Sequence, residues 1–441
     1  MKKNTFKGKK ILIMGLGLHG GGVGIAKFFC QQGADVLVTD LKTETQLKES
    51  LDKLKGLKIK YTLGKHEEAD FKSADIIIKN PDVPNTSPYL EIARKNNIPV
   101  ETDVDLFFKM SGAFVIGVTG TKGKSTTASI IYHILKQKSK RVFLAGNIGI
   151  SPLELLTKTR KGDIVILELS SFELESLFKS PNIAVVTNIL PDHLNRYATM
   201  ADYVEAKKII FKYQKKSDCL VLNADDYIVR QFSKEAPSKI YFFSAKQIPK
   251  GINLADFKLN GKHNLSNLLA AVKVAEILKL PTKRIEKSLK SFKGIASRQE
   301  LVAIKKGVKY INDTTATMPD AVIRALETFK NNRIVLIAGG QNKGLQYKDL
   351  AKEIIKTVYK LVLLPGTASQ EIEKELAELK SSIPIIPADS MEEAVRKSSQ
   401  IAEKGDVVLL SPGATSFNLF KNEFDRGNQF VEYVKKAKPA D

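Results

Sequence analysis

Apolar residues fall along the chain in two rhythms. Short, nearly unbroken apolar runs alternate with stretches in which apolar positions return every three or four residues, the spacing of one helix face. Runs at 10–14, 36–39, 59–63, 75–79 and 98–100 predict strands, with helices between them over segments such as 26–31 and 89–95. The same alternation returns at 163–167, 183–189 and 219–222, then at 308–311, 333–338, 361–364, 383–386 and 406–410. Strands alternating with helices predict parallel sheets covered on both faces, and an all-apolar run is what a doubly covered strand requires. A chain of 441 residues is too long for one core. The pattern places three α/β domains at 1–109, 110–298 and 299–441.

Composition narrows the class. Hydrophobic residues make up 43% of the chain, and no apolar run approaches the roughly 18 residues of a membrane span, so no membrane insertion is expected. The lysine-rich start and Ile11–Met14 could mimic a signal peptide, but they run straight into Gly15 with no small-residue cleavage pattern; a mature strand in a cytoplasmic monomer is expected. Cys30 and Cys219 lie far apart beside apolar residues, which predicts two buried thiols and no metal or redox spacing. The formal charge of +22 is scattered among glutamates rather than gathered in a patch, which favours polyanionic small substrates over nucleic acid.

Polar residues cluster where the apolar runs end, and in open parallel sheets ligands bind at the carboxyl ends of strands. After the first run comes Gly15-Leu16-Gly17-Leu18-His19-Gly20, with Asp40 at the end of the second. This fits a nicotinamide domain or any other nucleotide-binding Rossmann-like domain. Residues 117–127, GVTGTKGKSTT, follow an apolar run and precede a helical pattern at Ile130, Ile131, Ile134 and Leu135. Strand, glycine turn and helix aim backbone N–H groups and a helix N-terminus at phosphate, with Lys124 reaching terminal phosphates and Ser125 holding magnesium. The usual loop has four residues between its glycines, whereas five separate Gly117 from Gly123. Glu168, Asp192 and His193 end the next runs, on the edge expected to carry Lys124. A carboxylate and an imidazole there are suited to hard or borderline cations.

Two helices carry further candidates. Asp202 can cap one running to about 213, in which Lys207 lies 40° round from Tyr203 on the apolar face at 100° per residue, while Lys208 turns toward solvent. An inward lysine must pair, lose its proton, be chemically changed, or pack its stem and extend its head outward. Residues 261–267 open a second helix at 268–279, closed by Pro281; Asn264 and Asn267 share one face, to read a base or ribose or to cap. In the third domain, itself read as Rossmann-like, the runs are followed by Asp313 and Thr317, by Gly339, Gly340 and Lys343, and by Ser411, Gly413 and Ser416.

Residues 117–127, Gly146-Asn147-Ile148-Gly149, 168–175 (ELSSFELE), 188–197 (NILPDHLNRY), 261–267, Arg298 and Asn312-Asp313 together resemble the Mur ligases, whose phosphate loop has the wider glycine spacing. The resemblance spans all three domains and implies a central phosphate-loop ATPase domain. It implies that ATP converts a carboxylate to an acyl phosphate, which an amino acid's amine then attacks. ATP would be held by Gly120, Thr121, Lys122, Gly123, Lys124, Ser125 and Thr126, with Asn264, Asn267, Arg298 and Asp313. Magnesium would occupy two sites, Ser125 with Glu168, and His193 with a carbamylated Lys207. Leu18, His19, Asp40 and Lys42 would hold the uridine diphosphate of UDP-N-acetylmuramoyl-L-alanine, and Asn147 its muramoyl-alanine end. Thr317, Lys343, Ser416 and Phe424 would receive glutamate, the D isomer, with L-glutamate or another amino acid as the alternative.

Three departures stand out. Lys122 replaces a common Asn, Ser297 a common His, and Thr315 a Lys found in many members that add D-glutamate; the aromatic at Phe424 is also shifted by one residue. A nicotinamide dehydrogenase would account for Gly15–Gly20 and Asp40 but leaves the phosphate loop, Glu168 and His193 unexplained. Folylpolyglutamate synthases share the wide loop without an expected UDP-binding domain. Members that add diaminopimelate or lysine have a longer N-terminal region, and the Asp-Asn-Pro-Arg signature of the diaminopimelate type is absent here.

Overall fold

The computed structural model describes residues 5–18, 20–192, 196–249, 252, 262–292, 294–342, 344–416 and 419–436. His19, His193 and Lys343 lie outside the described residues. The described residues divide into two compact units between Ser291 and Phe292.

The first unit holds two sheets. Strands β1 (Lys10–Met14), β2 (Asp35–Asp40), β3 (Ile59–Leu63), β4 (Ile76–Lys79) and β5 (Val100–Glu101) form a parallel sheet in the order β3-β2-β1-β4-β5. Strands β6 (Phe114–Thr119), β7 (Val142–Gly146), β8 (Ile164–Glu168), β9 (Ile183–Val186), β10 (Cys219–Asn223) and β11 (Lys239–Phe243) form another, ordered β11-β10-β9-β6-β8-β7. Strand order reverses at β1 in the first sheet and at β6 in the second. The turns after these strands therefore open at topological switch points, where a crevice forms.

One apolar core runs through both sheets. Ile11, Ile13 and Ile78 join Val165, Leu167, Ala184 and Val186 in it, bridged by Val104, Phe107 and Phe108 of the helix Asp103–Met110 and by Leu153 of the helix Leu153–Leu156. Thr102 caps the bridging helix by accepting the Asp105 N–H at 3.2 Å. Each aliphatic side chain fully buried in this way contributes roughly 1.5–3 kcal/mol. Continuity of the core is the physical reason that the two sheets form one unit.

The second unit holds one sheet: β12 (Glu300–Lys305), β13 (Val308–Asn312), β14 (Ile334–Gly339), β15 (Val358–Leu364), β16 (Ile385–Pro387) and β17 (Val407–Leu410), ordered β12-β13-β17-β14-β15-β16. Only β12 runs antiparallel to its neighbour. Ile334, Leu336 and Ala338 enter one core while Val335 and Ile337 enter the other, so the sheet is covered on both faces.

Several expected elements change. The helix expected at 26–31 begins at Gly21, the strand expected at 98–100 pairs as Val100–Glu101, and the run 183–189 ends as a strand at Val186. Thr199, not Asp202, caps the helix Met200–Lys212; Asp202 sits three residues on and completes a reciprocal capping box. The helix expected at 268–279 spans Lys262–Ile277, so Asn264 and Asn267 lie on its first turns rather than in a capping loop. Cys219 is buried and Cys30 half-buried, and both are free thiols. Among the described residues no helix is long and apolar enough to cross a membrane.

Candidate active site

The turn after β6 is fixed from several directions. Thr121 donates its N–H to the Asn188 carbonyl at 2.8 Å, and Lys122 donates its N–H to Asn188 Oδ1 at 2.9 Å. The Lys122 carbonyl accepts from Thr187 Oγ1 at 2.7 Å and Asn188 Nδ2 at 2.9 Å. Thr121 Oγ1 accepts the Leu190 N–H at 2.9 Å and lies 3.0 Å from Tyr203 OH. Two glycines are obligatory here. A Cβ on Gly120 would lie 2.0 Å from Thr187 Oγ1 and one on Gly123 2.1 Å from Asn267 Oδ1, and both residues have positive φ. Ser125 is buried in the first turn of the helix Lys124–Lys136, which packs along Lys262–Ile277. Asn264 and Asn267 are buried on that neighbouring helix. Lys124 Nζ folds back onto the Gly120 and Thr121 carbonyls at 3.0 and 2.9 Å. Lys122 forms an ion pair with Asp192 at 2.9 Å, which anchors its charge on the loop that follows β9.

Lys207 points inward, as its register predicts, and is 1% exposed. Its Nζ donates to Thr119 Oγ1 at 3.3 Å, at the end of β6. Burial holds its pKa well below the usual lysine range, helped by the Lys124 charge and opposed by Glu173, Asp192 and Glu168. Lys208 turns outward but is paired, with Glu205 and Glu235, both at 2.8 Å. Glu168 ends β8 and sits in register with Val118 of β6. Its Oε1 accepts from Asn147 Nδ2 at 3.3 Å, whereas its Oε2 is buried with no partner. A buried carboxylate oxygen left unpartnered is destabilising unless something cationic meets it. Among the described residues no three His, Cys, Asp or Glu side chains cluster to hold a metal.

A cleft of about 430 Å³ joins the two sheets of this unit. Lys124, Lys207, Asn147 and Glu173 line it from the second sheet; Gly17, Leu18, Lys42, Asn80 and Asp82 line it from the first. Asp40 is buried, and its carboxylate shapes this wall: Oδ2 accepts the Leu16 and Gly17 N–H groups at 2.9 and 3.2 Å, and Oδ1 accepts that of Lys42 at 2.9 Å. Glu173 and Asp103 are cleft-lining acids that the strand-end pattern does not pick out. Burial, with Asp103 nearby, pushes Glu173 up to about 8. Its role is nonetheless partly legible, because Ser170 and Glu173 form a capping box, and S-x-x-E is a sequence signal.

In the second unit Asp313 follows β13. Its Oδ2 accepts from Ser411 Oγ at 2.9 Å and its Oδ1 from the Gln299 N–H at 3.1 Å, while burial pushes its pKa up to about 7. The folded state therefore holds this proton more tightly than the unfolded chain, and the contribution to stability falls as pH rises from about 4 to about 7. Asp313→Asn is predicted to gain stability relative to the parent at about pH 8 and not at about pH 4, measured as the difference between their melting temperatures. Parallel pH profiles would contradict this.

Two of the departures in sequence meet here. Thr315 donates both its Oγ1 and its N–H to the Ser297 carbonyl, at 2.9 and 3.3 Å, and Ser297 has a φ of 66°. Arg298 is exposed beside them, its charge acting on Asp313. Thr317 is half-buried, Ser416 is buried with its Oγ unpartnered, and Phe424 is 51% exposed at the start of the helix Glu423–Lys436. Arg426, fully buried on that helix, donates to Thr314 Oγ1 at 3.0 Å, the Thr314 carbonyl at 2.9 Å and the Ala414 carbonyl at 3.1 Å. It ties the loop after β13 to the loop that carries Ser416. A buried arginine in a helical stretch is hard to identify from periodicity alone.

Taken together, these are three α/β sheets whose carboxyl edges carry polar residues, with a phosphate-type loop opening into a cleft shared by the first two. Comparison with known proteins specifies the class. Residues 9–102 match the Mur ligase MurD-like N-terminal domain, 118–275 the Mur ligase middle domain, and 297–413 the Mur ligase glutamate ligase domain. The chain belongs to the Mur ligase family. It is 41% identical to a UDP-N-acetylmuramoylalanine–D-glutamate ligase of Roseiflexus sp., over 97% of this chain and 98% of that one. It is 38% identical to the enzyme of the same name from Acetivibrio thermocellus, over 98% and 97%. Its fold is shared with UDP-N-acetylmuramate–alanine ligase MurC of Thermotoga maritima, at a TM-score of 0.66 and 22% identity, covering 98% of this chain and all of that one.

Proposed function

We propose that this chain is an ATP-dependent ligase that joins D-glutamate to UDP-N-acetylmuramoyl-L-alanine in the synthesis of peptidoglycan precursors. The observation that carries the reading is the cleft in which Lys124 and Lys207 face the Gly17–Leu18 turn of the first sheet. Phosphate-binding groups and a second nucleotide-type loop thus look into one space. In this reading residues 1–109 bind the UDP substrate, 110–298 form the phosphate-loop ATPase domain, and 299–441 bind the amino acid.

The reaction balances in two steps. An oxygen of the alanyl carboxylate attacks the γ-phosphorus of ATP and ADP leaves; the amine of glutamate then attacks the acyl phosphate carbon and inorganic phosphate leaves as the amide forms. Negative charge builds on phosphoryl and then carbonyl oxygens, so the site needs cations and oriented donors more than a nucleophile of its own. Lys124, released from the Gly120 and Thr121 carbonyls, would move to the phosphates, joined by the N–H groups of Gly123–Thr126 at the N-terminus of the helix Lys124–Lys136, while the Thr121 and Lys122 N–H groups hold the loop to Asn188. Asn264, Asn267, Arg298 and Asp313 would hold the rest of ATP. Leu18, His19, Asp40 and Lys42 would hold the uridine diphosphate, Asp40 by fixing the loop amides, and Asn147 the muramoyl-alanine end. Thr317, Lys343, Ser416 and Phe424 would receive glutamate.

The residues present suit a hard divalent cation, since Glu168 Oε2 is buried without a partner. Ser125 and Glu168 would hold one magnesium ion, and His193 and carbamylated Lys207 a second. When bound, these ions supply charge neutralisation at the transferring phosphoryl group. Carbamylation fits the lysine: burial lowers the pKa of its amine and so favours the uncharged form that takes up carbon dioxide, and the product is an anion beside Lys124. ADP formation should require both UDP-N-acetylmuramoyl-L-alanine and D-glutamate; NADH turnover in its place would overturn the reading.

A further inference from the structure

We infer that Arg196 is a positioning residue that locks the substrate-binding wall of the first sheet onto the nucleotide-binding sheet. It lies three residues after His193 and belongs to no strand or helix. Its guanidinium donates to the Asp82 carbonyl at 2.8 Å and the Pro81 carbonyl at 3.2 Å, and pairs with Glu175 at 3.4 Å. The same group lies 4.2 Å from the centre of the Phe172 ring.

The backbone that Arg196 grips is the wall of the cleft. Asn80, Pro81 and Asp82 line that space together with Phe172, and Asn80 Nδ2 reaches the Gly15 carbonyl at 3.4 Å, joining this wall to the first glycine turn. On its other side the grip continues to the phosphate loop. Tyr197 OH donates to Glu175 Oε1 at 2.5 Å, the Tyr197 ring packs on Tyr203, and Tyr203 OH meets Thr121 Oγ1. A planar guanidinium spreads its donors over two carbonyls and a carboxylate while stacking on Phe172, a geometry that the compact ammonium of a lysine does not reproduce. Arg196 thus fixes the wall of the UDP-substrate pocket relative to the loop that presents ATP, while lining neither.

This rests on reading the cleft as the UDP-substrate site, and the test separates the two claims. Steady-state ADP release by the full-length chain is measured while ATP, UDP-N-acetylmuramoyl-L-alanine and D-glutamate are varied in turn. Arg196→Ala is expected to raise KM for the UDP substrate about tenfold, the scale of losing charge-assisted hydrogen bonds, and to leave KM for ATP and D-glutamate within about twofold. Arg196→Lys should recover only part of the loss. Glu175→Gln, which keeps the acceptor but removes its charge, should shift the same KM in the same direction by less, and it serves as the test if Arg196→Ala does not fold. Equal shifts for ATP and the UDP substrate, or no shift in either variant, would overturn the positioning role. ADP release by the parent chain independent of the UDP substrate would instead overturn the assignment of the cleft.

Discussion

Lys207→Ala is expected to lose about two to three orders of magnitude in turnover, the scale of removing one preorganised charge-stabilising group from a dry site. The expectation follows from its position: the side chain is 1% exposed, hydrogen-bonded only weakly to Thr119, and set between Lys124 and the acids Glu168, Glu173 and Asp192. If its role were only to fill the core, truncation would lower stability and leave kcat nearly unchanged. If it supplies a carbamate, a small carboxylate such as acetate or formate should enter the space left by the side chain and restore part of the rate. Full unaided activity of Lys207→Ala would refute the metal-bridging role. Loss of activity without any carboxylate rescue would leave a positioning lysine and remove the carbamate.

Lys124→Ala is expected to reduce ADP formation by about three orders of magnitude with little change in melting temperature. The two effects separate because Lys124 is only half-buried and its amine rests on two carbonyls of its own loop, at 3.0 and 2.9 Å. Gly120 and Thr121 are buried, so truncation costs at most these two local hydrogen bonds. The loop keeps its shape through Thr187, Asn188 and Tyr203, none of which depends on the lysine. An alanine variant within tenfold of the parent would mean that Lys124 does not meet the transferring phosphoryl group.

Much of this site was legible because strand-end chemistry and helical spacing are local signals. Glu168 and Asp313 each follow an apolar run, and the inward register of Lys207 could be calculated from Tyr203 alone. Less legible were short or mixed strands. Lys239–Phe243, Val142–Gly146 and Glu300–Lys305 lie at sheet edges, where partial exposure dilutes the apolar run, and Val142–Gly146 also ends in the glycine of a turn. The start of the helix Lys262–Ile277 is hard to place from sequence because Asn264 and Asn267 resemble capping residues, whereas both are buried, Asn267 against the loop that follows β6. Groups recruited from distant segments, such as Arg426 and Asp103, give no local signal, and Arg196, although it lies in the stretch 188–197, gives none of its role, since its partners lie on other segments. Lys122, Ser297 and Thr315 looked in sequence like isolated departures from the family. In the fold Lys122 pairs with Asp192, and Thr315 holds Ser297, so two of the three form a matched set.

The central claim is tested most directly by ADP release with UDP-N-acetylmuramoyl-L-alanine and ATP, comparing D-glutamate, L-glutamate and a panel of other amino acids. The account predicts turnover that requires the UDP substrate and is far faster with D-glutamate than with L-glutamate. A preference for L-glutamate would contradict the stereochemical assignment and point to Thr315 as the place to look; ADP release with no need for an amino acid or for the UDP substrate would contradict the account as a whole.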